Sequence, residues 1–217
     1  TGILSQQRMA SLGITLIVIA AFAGLALFVE RGPTVITFGL IGIALGVVYS
    51  LGPVKLSSLG LGETAVAIAF GVLPVTGAAW LQGAAIDSTL ILFSIPVSAW
   101  VAAILLINEV PDAEADGSCG KNTLPVRLGL RGTANLYFAI QVVAAGVVTL
   151  LAVQGHLPML APLVPVGLLV LAWKAATGIR GGIENRETMA QSIEATLGIH
   201  TIGCLWLAGC ALFALWF

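Results

Sequence analysis

Six long stretches of this chain contain no Asp, Glu, Lys or Arg, and they constrain its fold more than any other feature. They cover residues 9–29, 32–54, 64–86, 88–108, 132–173 and 195–217. A helix of about 20 apolar residues crosses a bilayer. The 42-residue stretch therefore holds two spans, which we separate at residues 154–158. The pattern predicts an all-α, polytopic membrane bundle of seven transmembrane helices, forming one domain over residues 1–217.

The composition agrees with a chain that lies in a lipid bilayer. Charged residues make up 9% of the sequence and hydrophobic residues 59%, whereas soluble domains carry about 25% charged residues. The mean hydropathy is +1.07. A net charge of -1 excludes a nucleic-acid-binding protein with a basic face, and high hydrophobicity excludes a disordered chain.

The basic residues predict the orientation of the helices, because cytoplasmic loops are enriched in Lys and Arg. One set of connections, or the helix ends beside it, carries eight of the nine basic residues: Arg8, Lys55, Lys121, Arg127, Arg131, Lys174, Arg180 and Arg186. The opposite set carries only Arg31. We therefore expect a cytoplasmic N-terminus and an external C-terminus. Because the chain begins with Thr1 rather than Met, we also expect an N-terminal portion to be missing.

The longest polar connection, residues 109–131, carries a regular spacing of acids. If the preceding span continues as a helix for two more turns, Glu109, Asp112 and Asp116 share one face. Like charges on one helix face repel each other, and a divalent cation would remove that repulsion. Mg²⁺ suits such a place, since it binds one or two carboxylates together with substrate phosphates.

Two basic residues follow these acids closely. Lys121 and Arg127 offer the charges that neutralise diphosphate oxygens. The alternative is a simply solvated charged loop, and the spacing by itself leaves both interpretations open. Glu63, in an adjacent cytoplasmic segment, either reaches the same cavity or caps the third span.

The string N-E-x-x-D-x-x-x-D-x-x-x-G-K-x-T-L-P-V-R-L-G, from Asn108 to Gly129, resembles the second aspartate-rich motif of the UbiA-type intramembrane aromatic prenyltransferases. Tyr49-x-x-Gly-Pro53, followed by Gly-Leu-Gly-Glu63, resembles a second cytoplasmic segment of that family. The likeness is greatest to the branch that prenylates 1,4-dihydroxy-2-naphthoate on the way to menaquinone.

The resemblance implies a nine-helix fold, of which these seven spans correspond to helices three to nine. The family's earlier motif, Asn-Asp-x-x-Asp-x-x-x-Asp, is absent from this sequence. The implied activity is Mg²⁺-dependent transfer of an isoprenoid chain from a polyprenyl diphosphate to an aromatic acceptor. The implied location is the inner or plasma membrane, with the active-site loops in the cytoplasm.

The resemblance also assigns roles to individual residues. The metal ligands are Asp112, Asp116 and Glu109, and the two aspartates are also catalytic. Tyr49 is the third catalytic residue, and it faces the same cavity. The substrate-binding residues are Asn108, Lys121, Arg127 and Lys55.

The rival interpretation is a non-enzymatic membrane protein, such as a transporter or a light-driven pump, or an inactive prenyltransferase fragment. A retinal pump needs a lysine in its last span, and residues 195–217 contain none. Transporters place their sites near the bilayer midplane, often at broken helices, whereas the acids of this chain cluster at one surface.

Overall fold

The computed structural model describes residues 5–51 and 55–214, except for the side chain of Ile183. Within these residues the chain is helical and has no strand, which confirms the all-α class. The helices are α1 (Gln6–Arg31), α2 (Thr34–Ser50), α3 (Gly62–Ala67), α4 (Leu73–Leu81), α5 (Ser88–Asn108), α6 (Ala113–Ser118), α7 (Leu124–Val153), α8 (Leu163–Gly181) and α9 (Arg186–Ala214). A π-helical segment, Ile68–Val72, joins α3 to α4.

The apolar helices of the described residues follow the seven predicted spans in order. Six segments are long and apolar enough to cross a membrane, with Gly62–Leu81 counted as one segment. The seventh, Thr34–Ser50, has 17 residues and is shorter than the predicted span. The predicted break at residues 154–158 is confirmed, because α7 ends at Val153 and α8 begins at Leu163.

The chain divides into two compact units, one up to Ala44 and one from Leu45 onward. The first unit contains α1 and α2 up to Ala44, and neither helix has a buried residue. The second unit contains an apolar core that α5, α7, α8 and α9 share. The most deeply buried large side chains are Trp100, Tyr137, Leu106, Ile107 and Ile179. The single-domain boundary remains a prediction.

Small residues allow α5 to approach its neighbours closely, as helix packing in lipid favours. A methyl group on Gly203 of α9 would lie 2.8 Å from the Trp100 ring of α5. A methyl group on Gly71, in the π-helical segment, would overlap with the Cα of Ser98. These contacts fix α5, and α5 in turn positions the polar connection that follows it.

Candidate functional site

The connection after α5 does not continue the helix, so the condition for a shared face of the three acids is not met. The helix ends at Asn108, a turn covers residues 109–112, and the short α6 begins at Ala113. Pro111 explains the break, because proline lacks an N–H and disfavours helical geometry in the residue before it. The N–H of Val110 donates to the Ile107 carbonyl at 3.3 Å, which tightens the last turn.

The acids therefore do not share one continuous helix face. Asp112 lies just before α6 and is exposed, and Asp116 lies one turn later, where its N–H donates to the Asp112 carbonyl at 2.8 Å. Glu109 is half-buried at the end of α5, and the neighbouring Asn108 is exposed. The break separates Glu109 from the aspartates by a turn of chain.

Lys121 folds back onto the acidic connection. Its Nζ donates to Oδ1 of Asp116 at 2.6 Å, and its backbone N–H donates to the Asp116 carbonyl at 3.0 Å. Gly120 makes this reversal possible, since its φ of 77° is unfavourable for other residues. The hydrogen bond to Asp116, and then the charge of that carboxylate, raise the pKa of Lys121.

The segment after α2 is joined to the start of α7. The N–H of Asn122 donates to the Ser58 carbonyl at 2.8 Å. Gly60, at φ 65°, lies so close that a methyl group there would be 3.0 Å from the Asn122 carbonyl and 3.4 Å from the Arg127 side chain. Arg127 and Lys55, both exposed, thus belong to two segments in contact. Gly52 and Pro53 lie outside the described residues.

Glu63 is the residue whose place the sequence left open. It is 5% exposed, and neither of its carboxylate oxygens has a hydrogen-bond partner within the described chain. The helix-cap interpretation is therefore not supported, since a cap accepts a bond from a backbone N–H. Oε2 of Glu109 is likewise buried without a partner.

The start of α3 faces the end of α5, which brings these two acids together. A methyl group on Gly62 would lie 3.6 Å from Oε1 of Glu109. Burial, then the Glu63 carboxyl, and then Asp116 raise the pKa of Glu109 to about 8, against a smaller opposing effect of Lys121. Sequence reasoning missed this pair, although an acid at the start of an apolar helix was the available signal.

An apolar groove lies next to these charged residues. We call Glu63, Glu109, Asp116 and Lys121 the polar end of the groove. It has a volume of about 300 Å³ and is lined by Leu45, Gly46, Tyr49, Ala65, Val66, Ala69 and Phe70. Tyr49 is half-buried and lies close enough to Glu109, Glu63 and Lys121 for their charges to act on its hydroxyl. It connects the groove with the charged residues.

The donor set fits Mg²⁺ bound together with a substrate. Among the described residues, no three His, Cys, Asp or Glu side chains converge into a metal cage. Mg²⁺ does not require one, because it is usually held by one or two carboxylates plus phosphate oxygens. Asp116, Glu109 and Lys121 come together, and Asp112 acts on Lys121. The ligand and substrate roles of these residues, and those of Asn108, Arg127 and Lys55, remain predictions.

The comparisons with known proteins agree with one another. Residues 1–189 match the UbiA prenyltransferase family. A 1,4-dihydroxy-2-naphthoate octaprenyltransferase of Mycobacterium tuberculosis is 33% identical over 80% of this chain and 58% of its own length. The Haemophilus influenzae protein of that name is 41% identical over 42% of this chain and 30% of its own length. A 2-carboxy-1,4-naphthoquinone phytyltransferase of Synechocystis is 33% identical over 54% and 38%.

The chain thus spans between about a third and three fifths of these relatives' length. No solved structure matches it.

Proposed function

Because this chain belongs to the UbiA prenyltransferase family, we propose that its protein transfers an isoprenoid chain from a polyprenyl diphosphate to an aromatic acceptor. The relatives' names support an acceptor of the 1,4-dihydroxy-2-naphthoate class, and hence a role in quinone biosynthesis. The apolar helices and the family make it an integral membrane protein. Since the chain covers only part of its relatives' length, the activity is proposed for the protein that contains it.

One observation carries the proposal. A lysine–aspartate pair, Lys121 and Asp116, lies beside the half-buried Glu109 at one end of an apolar groove. A polyprenyl diphosphate has the same two parts, an anionic head and a long apolar tail. The polar end suits the head, and the groove suits the tail.

Asp112, Asp116 and Glu109 are the residues proposed to hold Mg²⁺. When bound, the cation offsets the negative charge that develops on the leaving diphosphate. Carboxylate oxygens are the ligands it prefers, and Oε2 of Glu109 is free of protein partners within the described residues.

The basic residues hold the diphosphate itself. Lys121 offers a compact charge and Arg127 a planar fork that binds two oxygens at once. Lys55 approaches from the neighbouring segment, and Asn108, at the end of α5, offers an amide. Positioned charges of this kind supply much of the stabilisation of a transition state that gains charge.

The reaction exchanges a carbon–oxygen bond for a carbon–carbon bond. The bond between the allylic carbon and the diphosphate breaks, and the diphosphate leaves with the electron pair. The electron-rich ring attacks the allylic cation, then restores its aromaticity by losing the substituent at that carbon, a proton or carbon dioxide. The apolar groove keeps water from the cation, and Tyr49 lies where the groove meets the charges.

We place this polar end on the cytoplasmic side of the membrane, with the N-terminus, because basic residues are concentrated there. The non-enzymatic alternative is not favoured, since the family and the relatives' names are those of transferases.

The test is prenyl transfer by membranes that contain the full-length protein. We expect a prenylated naphthol from a polyprenyl diphosphate and 1,4-dihydroxy-2-naphthoate, dependent on Mg²⁺ and abolished by Asp112→Asn combined with Asp116→Asn. Glu114→Gln is the matched control, because Glu114 is an exposed acid of the same short helix. Full activity in the double variant contradicts the site, and no product from any hydroxylated naphthoate contradicts the function.

A further inference from the structure

Glu63 is unusual among the charged residues of the described chain. It is the one Asp, Glu, Lys or Arg there that is buried, with 5% of its surface exposed. Neither of its carboxylate oxygens has a hydrogen-bond partner in the part of the chain that the structure describes. A buried carboxylate without a partner is strongly destabilising, and a positive group beside it would remove that penalty.

The neighbouring acid increases this need. Glu109 lies across from Glu63, and its Oε2 is buried and unpartnered as well. Lys121 does not satisfy the pair, because its ammonium is bonded to Asp116 and its effect on Glu109 is the weakest of those acting there. Three carboxylate oxygens are thus left to one occupant.

We propose that Glu63 and Glu109 together form a divalent-cation site between the start of α3 and the end of α5. The cation is of the Mg²⁺ class, because the available donors are all carboxylate oxygens. Glu63 is then a metal ligand that comes from α3, whereas the other proposed ligands belong to the acidic connection, residues 109–131. The inference rests on the proposed function only for the cation's role in transfer, since binding itself requires no prenyl donor.

The site joins two segments that are far apart in sequence. Gly62 and Glu63 begin α3, whereas Glu109 directly follows α5. The two segments are close, since a methyl group on Gly62 would lie 3.6 Å from Oε1 of Glu109. A cation bound to both acids therefore links the segment that contains Lys55 and Glu63 to the acidic connection, residues 109–131. Without the cation, the neighbouring carboxylates of Glu63 and Glu109 repel each other.

The experiment measures binding of Mn²⁺, a spectroscopic substitute for Mg²⁺, to the purified full-length protein in detergent by electron paramagnetic resonance. The titration is done with and without inorganic pyrophosphate. We expect Glu63→Gln and Glu109→Gln each to weaken binding by at least about tenfold. Glu114→Gln removes the same charge from the same end of the protein and should change the affinity less than about twofold.

The thermal midpoint of unfolding separates a ligand from a merely structural residue. Without metal, Glu63→Gln should match or exceed the wild type, because it removes an unpartnered buried carboxylate. With Mg²⁺ the wild type should gain stability by ligand linkage, and the variant should not. A variant that binds Mn²⁺ as tightly as the wild type overturns the proposal.

The two proposals fail separately. Prenyl transfer that proceeds while Mn²⁺ affinity is insensitive to Glu63→Gln refutes the cation site and leaves the function. Glu63-dependent Mn²⁺ binding in a protein that transfers no prenyl group to any aromatic acceptor refutes the function and leaves the site.

Discussion

The chain has two tyrosines, and they lie in contrasting surroundings. Tyr137 of α7 is fully buried, and its hydroxyl is 2.7 Å from that of Thr196, which donates to the Ser192 carbonyl at 2.8 Å. Tyr49 is half-buried, lines the apolar groove and lies near Glu63 and Glu109.

The difference separates polar groups that hold the bundle together from polar groups that we propose bind a ligand. Lipid offers no hydrogen-bond partner, so a hydroxyl inside the bundle is stabilised by a partner on a neighbouring helix. The hydroxyls of Tyr137 and Thr196 are hydrogen-bonded to each other, whereas the Glu63 carboxylate has no hydrogen-bond partner within the described residues. We propose that a cation and a diphosphate complete the polar end, where the Glu63 carboxylate has no partner within the described residues.

The largest expected effect on prenyl transfer comes from changing Asp116, the acid that Lys121 contacts. Asp116→Asn removes one charge while keeping the shape, and we expect prenyl transfer to fall by about 100- to 1,000-fold, as when a charge-stabilising group is lost from an active site. Initial rates at saturating substrates measure the effect. Stability should barely change, since Asp116 is not part of the apolar core; a large drop in the unfolding midpoint would place Asp116 with the structural groups instead.

The basic partner should have a smaller effect. Lys121→Met keeps most of the side-chain volume and removes the ammonium that we propose binds the diphosphate. Bonds to charged groups are stronger than bonds between neutral groups, so the KM for the prenyl diphosphate should rise by about 10- to 100-fold. Lys174→Met, an exposed lysine of α8, is the control. Equal effects of the two variants would show a general loss of positive surface charge rather than a specific contact.

Gly71 connects the two regions, because it lies in the π-helical segment beside groove residues Ala69 and Phe70 and packs against core residue Ser98. Gly71→Ala should destabilise the protein by about 1–3 kcal/mol by overpacking, measured as the free energy of unfolding in mixed micelles. Gly167→Ala in α8, with open space around the added methyl group, should be neutral or slightly stabilising. If Gly71→Ala left the free energy of unfolding unchanged, the π-helical segment would accommodate the methyl group without displacing α5.

The helices were predictable because a single physical quantity, the absence of charge over about 20 residues, sets them. The break between α7 and α8 followed for the same reason. The start of α9 did not follow, because α9 extends to Arg186 through exposed charged residues that charge counting assigns to a loop.

The candidate site was predictable in its residues but not in its geometry. Asp116 and Lys121 were identified from spacing and resemblance, and they do meet. The turn at Pro111 was not predicted from the spacing of the acids, although a proline disfavours helix in the residue before it. The pairing of Glu63 with Glu109 depends on packing between α3 and α5, which no local pattern reveals.

The smallest and most discriminating effects come from the two tyrosines themselves. Tyr137→Phe removes one hydroxyl from a buried pair, but Thr196 keeps its bond to Ser192, so we expect a loss of about 1 kcal/mol in unfolding free energy. Prenyl transfer should be unchanged, because Tyr137 lies in the core. Tyr49→Phe should do the opposite, lowering the rate while leaving the unfolding free energy within about 0.5 kcal/mol. If each variant changed both quantities alike, the bundle interior and the polar end would act as one cooperative unit, and the distinction between structural and ligand-binding polar groups would not hold.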